Sequence, residues 1–123
     1  MERTNVVYVN VVASTQTTIT NTVYQYDYGL ELCITGVSGA VSEVHFSTEG
    51  SNEAIARDIY VDKDNNILCS IPDAMLKQSK NIRCFIYAAD ETSGMTLYEA
   101  IIPVTARGRA INSSSGETTT DKT

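Results

Sequence analysis

"TVYQYDYGLELCITG", residues 22–36, sets aromatic and aliphatic side chains on the even positions and mostly polar or small ones on the odd. Tyr24, Tyr26, Tyr28, Leu30, Leu32 and Ile34 share one parity; Gln25, Asp27, Gly29, Glu31, Cys33 and Thr35 take the other. A period of two is that of a half-buried strand, because successive side chains leave opposite faces of a pleated backbone. The run is long for one strand, and Asp27 with Gly29 marks a bulge or bend inside it. The three tyrosines have two readings. They continue the core stripe of Leu30, Leu32 and Ile34, or they form a stacking ladder or contact patch for a sugar or a partner protein. A bend at Asp27 to Gly29 would split them, with Tyr28 buried and Tyr24 at an edge.

The same period recurs downstream. In "VSEVHFSTEG", Val44 and Phe46 oppose Glu43, His45 and Ser47; in "ILCSI", Ile67, Cys69 and Ile71 share a face. "NIRCFIYAAD" sets Ile82, Cys84 and Ile86 against Arg83, Phe85 and Tyr87, and "MTLYEAIIPV" reads as the closing strand. Short strands are also expected around Ile59 to Val61, with turns at "GVSGA", at Asp62 to Asn66 and at Asp90 to Gly94. The one helix-like piece is "IPDAMLKQSK": Pro72 suits a first helical position and Asp73 a helix N-terminus. It is too short to stand alone, so a single turn docked by Met75 and Leu76 is expected. About seven short strands, with turns roughly every ten residues, predict an all-β chain. The expected fold is an antiparallel, immunoglobulin-like β-sandwich with one short helical turn. No helical stretch is long enough for a parallel crossover.

Three segments follow: an N-terminal arm over 1–21, the sandwich over 22–106, and a Ser/Thr-rich tail over 107–123 that has too few large apolar groups to offset its ordering entropy. Within the arm, "NVVYVNVVA" reads as a strand of uncertain attachment. Added to the sheet of a neighbour, it would anchor the chain through main-chain hydrogen bonds. Val6, Val7, Tyr8, Val9 and Val11 are the candidate anchor residues, with Tyr24 and Tyr26 as candidate partner contacts.

With 123 residues and 42% hydrophobic composition, one domain can bury a core without disulfide or metal staples. The net charge of −6, with nine Lys and Arg scattered from Arg3 to Lys122 and no run of three, gives no patch for a phosphate backbone, so nucleic acid is not an expected partner. No apolar run approaches the ~20 residues of a membrane span, and the first residues lack a signal-peptide pattern. Cys33, Cys69 and Cys84 sit in apolar or β-branched runs with no CxxC spacing. They read as buried thiols of a protein made in a reducing cytosol, or as one disulfide with a spare thiol; a zinc site is not expected.

His45 is the only histidine. Glu43 and Ser47 share its parity, but same-face neighbours on one strand stand ~7 Å apart, too far for a direct relay. His45 therefore reads as a surface or rim residue. Asp62, Asp64 and Asn66 have the one-three-five spacing of a calcium loop, yet Ile67 stands where that loop needs glycine, which favours a plain turn. Asp58, Glu91 and Glu99 could pair as glycosidase carboxylates do, a signal that almost any acidic domain offers. Asn112 in "NSS" matches a glycosylation acceptor by composition alone. No catalytic, cofactor or metal residue is expected.

Taken together, "VYQYDYGLELCITG", "VSEVHFSTEG", "SIPDAMLKQSKNIRCFIYAAD" and "TLYEAIIPV" resemble, in order and spacing, a small domain of tailed bacteriophages and prophages of Gram-positive gut bacteria. The resemblance covers about Thr22 to Val104. It implies a virion structural protein with an immunoglobulin-like or baseplate-type sandwich, made in the host bacterial cytoplasm and carried on the virion. The implied function is non-enzymatic: a decoration protein displayed in many copies on the capsid or tail, bound to other virion proteins and compatible with a homo-oligomer. The alternative is a carbohydrate or host-surface binding module that uses the Tyr24 to Tyr28 edge on a cell-surface glycan. The front arm and short polar tail depart from the family's usual proline-rich or helical continuation.

Overall fold

A computed structural model describes residues 5–90 and 94–107. The expectations on the tail beyond residue 107, on Asn112 and on the connection at 91–93, including Glu91, lie outside those residues. Among the described residues there are eleven strands: β1 (Val6–Asn10), β2 (Thr17–Ile19), β3 (Val23–Tyr24), β4 (Glu31–Thr35), β5 (Ala40–Thr48), β6 (Ile55–Asp58), β7 (Tyr60–Val61), β8 (Ile67–Ser70), β9 (Ile82–Asp90), β10 (Gly94–Ile102) and β11 (Val104–Thr105). The one helical piece is a 3-10 turn, Asp73–Lys77, whose Met75 and Leu76 are buried as the sequence predicts.

Two sheets carry the fold, in the orders β1-β4-β8-β7 and β2-β10-β9-β5-β6, and β3 with β11 makes a third, two-stranded piece. Both larger sheets feed one core. Val7, Val9, Leu32, Ile34 and Cys69 come from the first, and Val44, Phe46, Ile82, Cys84, Ile86, Tyr98, Ala100 and Ile102 from the second. Phe46, Leu32, Leu76, Ile82 and Ile86 are fully buried, each contributing roughly 1.5–3 kcal/mol of apolar burial.

The pairing is mixed, not antiparallel throughout. β4–β8, β8–β7, β5–β6, β5–β9 and β9–β10 are antiparallel, while β1–β4, β2–β10 and β3–β11 are parallel. Residues 17–25 run alongside 99–105, and the break between β10 and β11 falls at Pro103, which has no N–H to give. Its carbonyl still accepts from Val23 N at 2.9 Å.

The opening segment is part of the body. β1 lies beside β4 in register from Val6 opposite Glu31 to Asn10 opposite Thr35, and Val7, Val9 and Val11 lie in the core at 2–3% exposure. The strand closes against Gly36, whose φ is +84°. A Cβ there would lie 2.3 Å from the Val11 carbonyl oxygen, so the close approach requires glycine.

The stretch from Tyr24 to Ile34 is not one strand. After β3 the chain turns at Tyr26 (φ 74°) and Gly29 (φ 68°) and re-enters a sheet at Glu31. Tyr26 N donates to the Leu76 carbonyl, Gln25 Nε2 to the Lys77 carbonyl, and Gly29 N to the Asp73 carboxylate. The YQYDYG stretch is thus the loop that ties the 3-10 turn to the sheets.

Candidate functional site

The antiparallel register of β5, β9 and β10 sets three ranks on the outer face of the five-stranded sheet: Ser47, Arg83 and Ile101; His45, Phe85 and Glu99; Glu43, Tyr87 and Leu97. Met95 extends β10 beyond the third rank, and Ile19 of β2 stands beside Ile101. The opposite parity of the same strands is the core. β9 therefore carries large apolar groups on both faces, which an antiparallel strand with one wet face does not need.

Met95, Leu97 and Ile19 are 60%, 43% and 67% exposed, whereas Phe85, Tyr87 and Ile101 are half-buried. The charges among them are paired within the face. Arg83 reaches Glu99 Oε2 through two nitrogens at 2.8 and 2.9 Å, and its guanidinium lies 5.0 Å from the Phe85 ring centroid. Partly exposed pairs of this kind are worth about 0–1 kcal/mol; their main effect is to hold the ring and the charges in place.

His45 belongs to this face. Its Nε2 stands 2.7 Å from Glu43 Oε2, and its ring packs on Tyr87 with centroids 4.7 Å apart. The sequence expectation that Glu43 and His45 are too far apart to bond is corrected: the strand rise separates their Cα atoms, but both side chains are long enough to lean together. Ser47 does not join them. It is buried, and its hydroxyl donates to the Glu53 carbonyl at 2.7 Å. The arrangement orients an imidazole without setting a nucleophile beside it.

The sequence-derived contact residues are scattered. Val7, Val9 and Val11 are core residues, and Val6 is buried with Cys33 and Leu68 in a second small cluster. All four are buried within the chain's own sheets. Tyr8 is 43% exposed on the four-stranded sheet. Tyr24 is 49% exposed beneath the Arg107 guanidinium, 5.4 Å from its centroid, and Arg107 also bonds Asp27 at 3.0 Å. Tyr26 is half-buried in the loop. Tyr28, expected inside if the run bends, is 80% exposed. No tyrosine ladder forms.

The polar loops are occupied by their own backbone. Asp62 Oδ1 accepts from the amides of Asp64 and Asn66 at 2.9 Å, closing the turn the sequence predicts. A shallow concavity of about 310 Å³ opens where β4, β6, β8 and the 3-10 turn meet, with Glu31, Arg57, Ser70 and Asp73 in its wall. The Tyr60 hydroxyl donates to Glu31 at its rim. All three cysteines are buried thiols outside any disulfide. Burial pushes the Cys69 thiol up to about 12 and raises that of Cys84 further. Both are therefore protonated and poor nucleophiles near neutral pH.

The signal for the outer face was present in "IRCFIYAAD": Phe85 and Tyr87 fall on the parity where a solvated strand carries polar groups. No family model matches the sequence, and no curated protein matches it.

Proposed function

We propose that the chain is a non-catalytic structural protein of a tailed-phage virion, displayed on the capsid or tail and held by protein–protein contacts through the outer face of its five-stranded sheet. The observation that carries the contact reading is the pairing of exposed Leu97, Met95 and Ile19 with half-buried Phe85, Tyr87 and Ile101 on one sheet face. An aromatic and aliphatic centre with charge pairs around it has the composition of a docking surface. The virion setting rests on the motif resemblance between Thr22 and Val104.

We read the fold as an immunoglobulin-like sandwich in the broad sense, and the strand orders support that reading. β4-β8-β7 follows the order of strands B, E and D, and β10-β9-β5-β6 follows G, F, C and C′. The departures are specific: β1 runs parallel to β4, β2 to β10 and β3 to β11, where an antiparallel sandwich would have the reverse.

Mass spectrometry of separately purified heads and tails from a phage carrying this gene tests the reading. Peptides of this chain in multiple copies per particle are expected, and a particle free of them would overturn it. A glycan-binding role is the second reading, favoured by the concavity with Glu31, Arg57 and Ser70, where a sugar would find both acceptors and donors. Calorimetry against cell-wall polysaccharide separates the two; heat that disappears in Arg57→Ala would support the glycan.

A further inference from the structure

We infer that the partner which covers the outer face of the five-stranded sheet is a second copy of the same face, in a two-fold, strand-crossing dimer. This rests on the reading of that face as a contact surface and adds the identity of its occupant.

The layout of charge on the face supplies the reason. Phe85 occupies the centre of the three ranks. Arg83 is its neighbour along β9 and Glu99 its neighbour across on β10, while Tyr87 and His45 lie on the two remaining sides. Turn the face onto itself about a two-fold axis over Phe85, running diagonally between the strand direction and the cross-strand direction. Phe85 then meets Phe85, Arg83 of each copy comes opposite Glu99 of the other, and His45 comes opposite Tyr87. The Arg83–Glu99 and His45–Tyr87 contacts each occur twice, and Phe85, on the axis, meets its own counterpart once, as an isologous interface requires.

Neighbouring strands stand ~4.8 Å apart and alternate residues ~6.8 Å apart, a mismatch that arginine and glutamate side chains can span. Strands of the two copies cross near ~90°, one of the two common ways in which sheets pack. Ile101 meets its own counterpart at one corner, and Leu97 comes opposite the 51–53 segment that covers Ser47. Glu43 also lies on the axis, at the opposite and wetter corner, where it meets its own counterpart with Asp58 beside it; the charge there opposes the pairing and is weakened by salt. A chain of net charge −6 repels its copies over most of its surface. Here Arg83 and Glu99, already paired within each copy, would close into a ring of four alternating charges across the axis.

Reciprocal charge reversal tests the geometry. Sedimentation of the wild-type chain across the micromolar range should reveal a dimer. Arg83→Glu and Glu99→Arg should each weaken self-association about tenfold or more, because like charges then face each other. An equimolar mixture of the two variants should regain wild-type association as a heterodimer, a result that damaged folding cannot produce. Leu97→Asp, at a side chain already exposed, is the second probe and should give a monomer whose thermal unfolding matches that of the wild-type chain at concentrations too low for it to dimerise. A wild-type chain that stays monomeric overturns the inference, as does a mixture no tighter than its components. If the monomeric chain is nevertheless held on particles and Leu97→Asp releases it, another virion protein covers the face: the dimer is refuted and the structural role stands. A dimer that dissociates with Leu97→Asp but is never found on particles supports the pairing and refutes the virion role.

Discussion

Each of the two sheets turns a row of large side chains outward, and the two rows meet different fates. On the four-stranded sheet, Tyr8, Cys33, Leu68 and Tyr60 lie side by side across β1, β4, β8 and β7. The middle of that row is sealed: Cys33 and Leu68 are 3% and 2% exposed, with Val6 packed beside them. On the five-stranded sheet the comparable side chains, Leu97 and Met95, remain open to water. Apolar residues on an outer face thus do not by themselves mark a contact surface. What matters is whether the chain's own neighbours already cover them.

The contrast can be broken by deleting what seals the first face. Removal of residues 1–14 takes away β1, with the core valines Val7, Val9 and Val11 and the ladder to β4, and leaves β2 in place. Loss of cooperative thermal unfolding is expected, and a truncated chain that melts like the full one would mean that β1 is dispensable. Leu68→Ala, on the sealed row, should cost about 2–4 kcal/mol in denaturant unfolding, because neighbours cannot fully close the cavity. Leu97→Ala, on the open row, should change stability by no more than about 0.5 kcal/mol. Equal costs at the two leucines would erase the distinction between the faces.

The buried thiols sharpen the same comparison through pH. Cys69 and Cys84 have folded pKa values raised by burial. The unfolded chain therefore loses these protons at lower pH than the folded one. Stability from this source is fully present below about pH 8.5, the ordinary thiol value, and declines as pH rises toward the folded values. Thiol reagents at neutral pH should react only after unfolding. The smallest effect belongs to His45→Ala, which removes a partly exposed pair worth about 0–1 kcal/mol and should leave thermal unfolding nearly unchanged.

Much of this was readable in the residues. The inward parity of Val44 with Phe46, and of Ile82, Cys84 and Ile86, is that of fully buried side chains. The turn docked by Met75 and Leu76 follows from Pro72 and two well-placed apolar groups. Other parts left no local trace. A parallel pair such as β1–β4 joins residues about 25 apart with no hairpin turn to announce it, so a core strand reads as a loose arm. The alternation through Tyr24, Tyr26 and Tyr28 continues across a loop in which only Tyr24 belongs to a strand, while Tyr26 is bonded through its backbone to the 3-10 turn and Tyr28 faces water. Only Asp27 and Gly29 hinted otherwise. The Glu43–His45 contact was missed because strand rise measures backbone separation, not the reach of long side chains.

The central claim is that Leu97 and its neighbours form a surface built to be covered on the virion. The most direct measurement compares incorporation of wild-type chain and Leu97→Asp into particles, with thermal unfolding recorded for both. Matched unfolding together with lost incorporation is the expected result. Incorporation of the aspartate variant at wild-type level would contradict it.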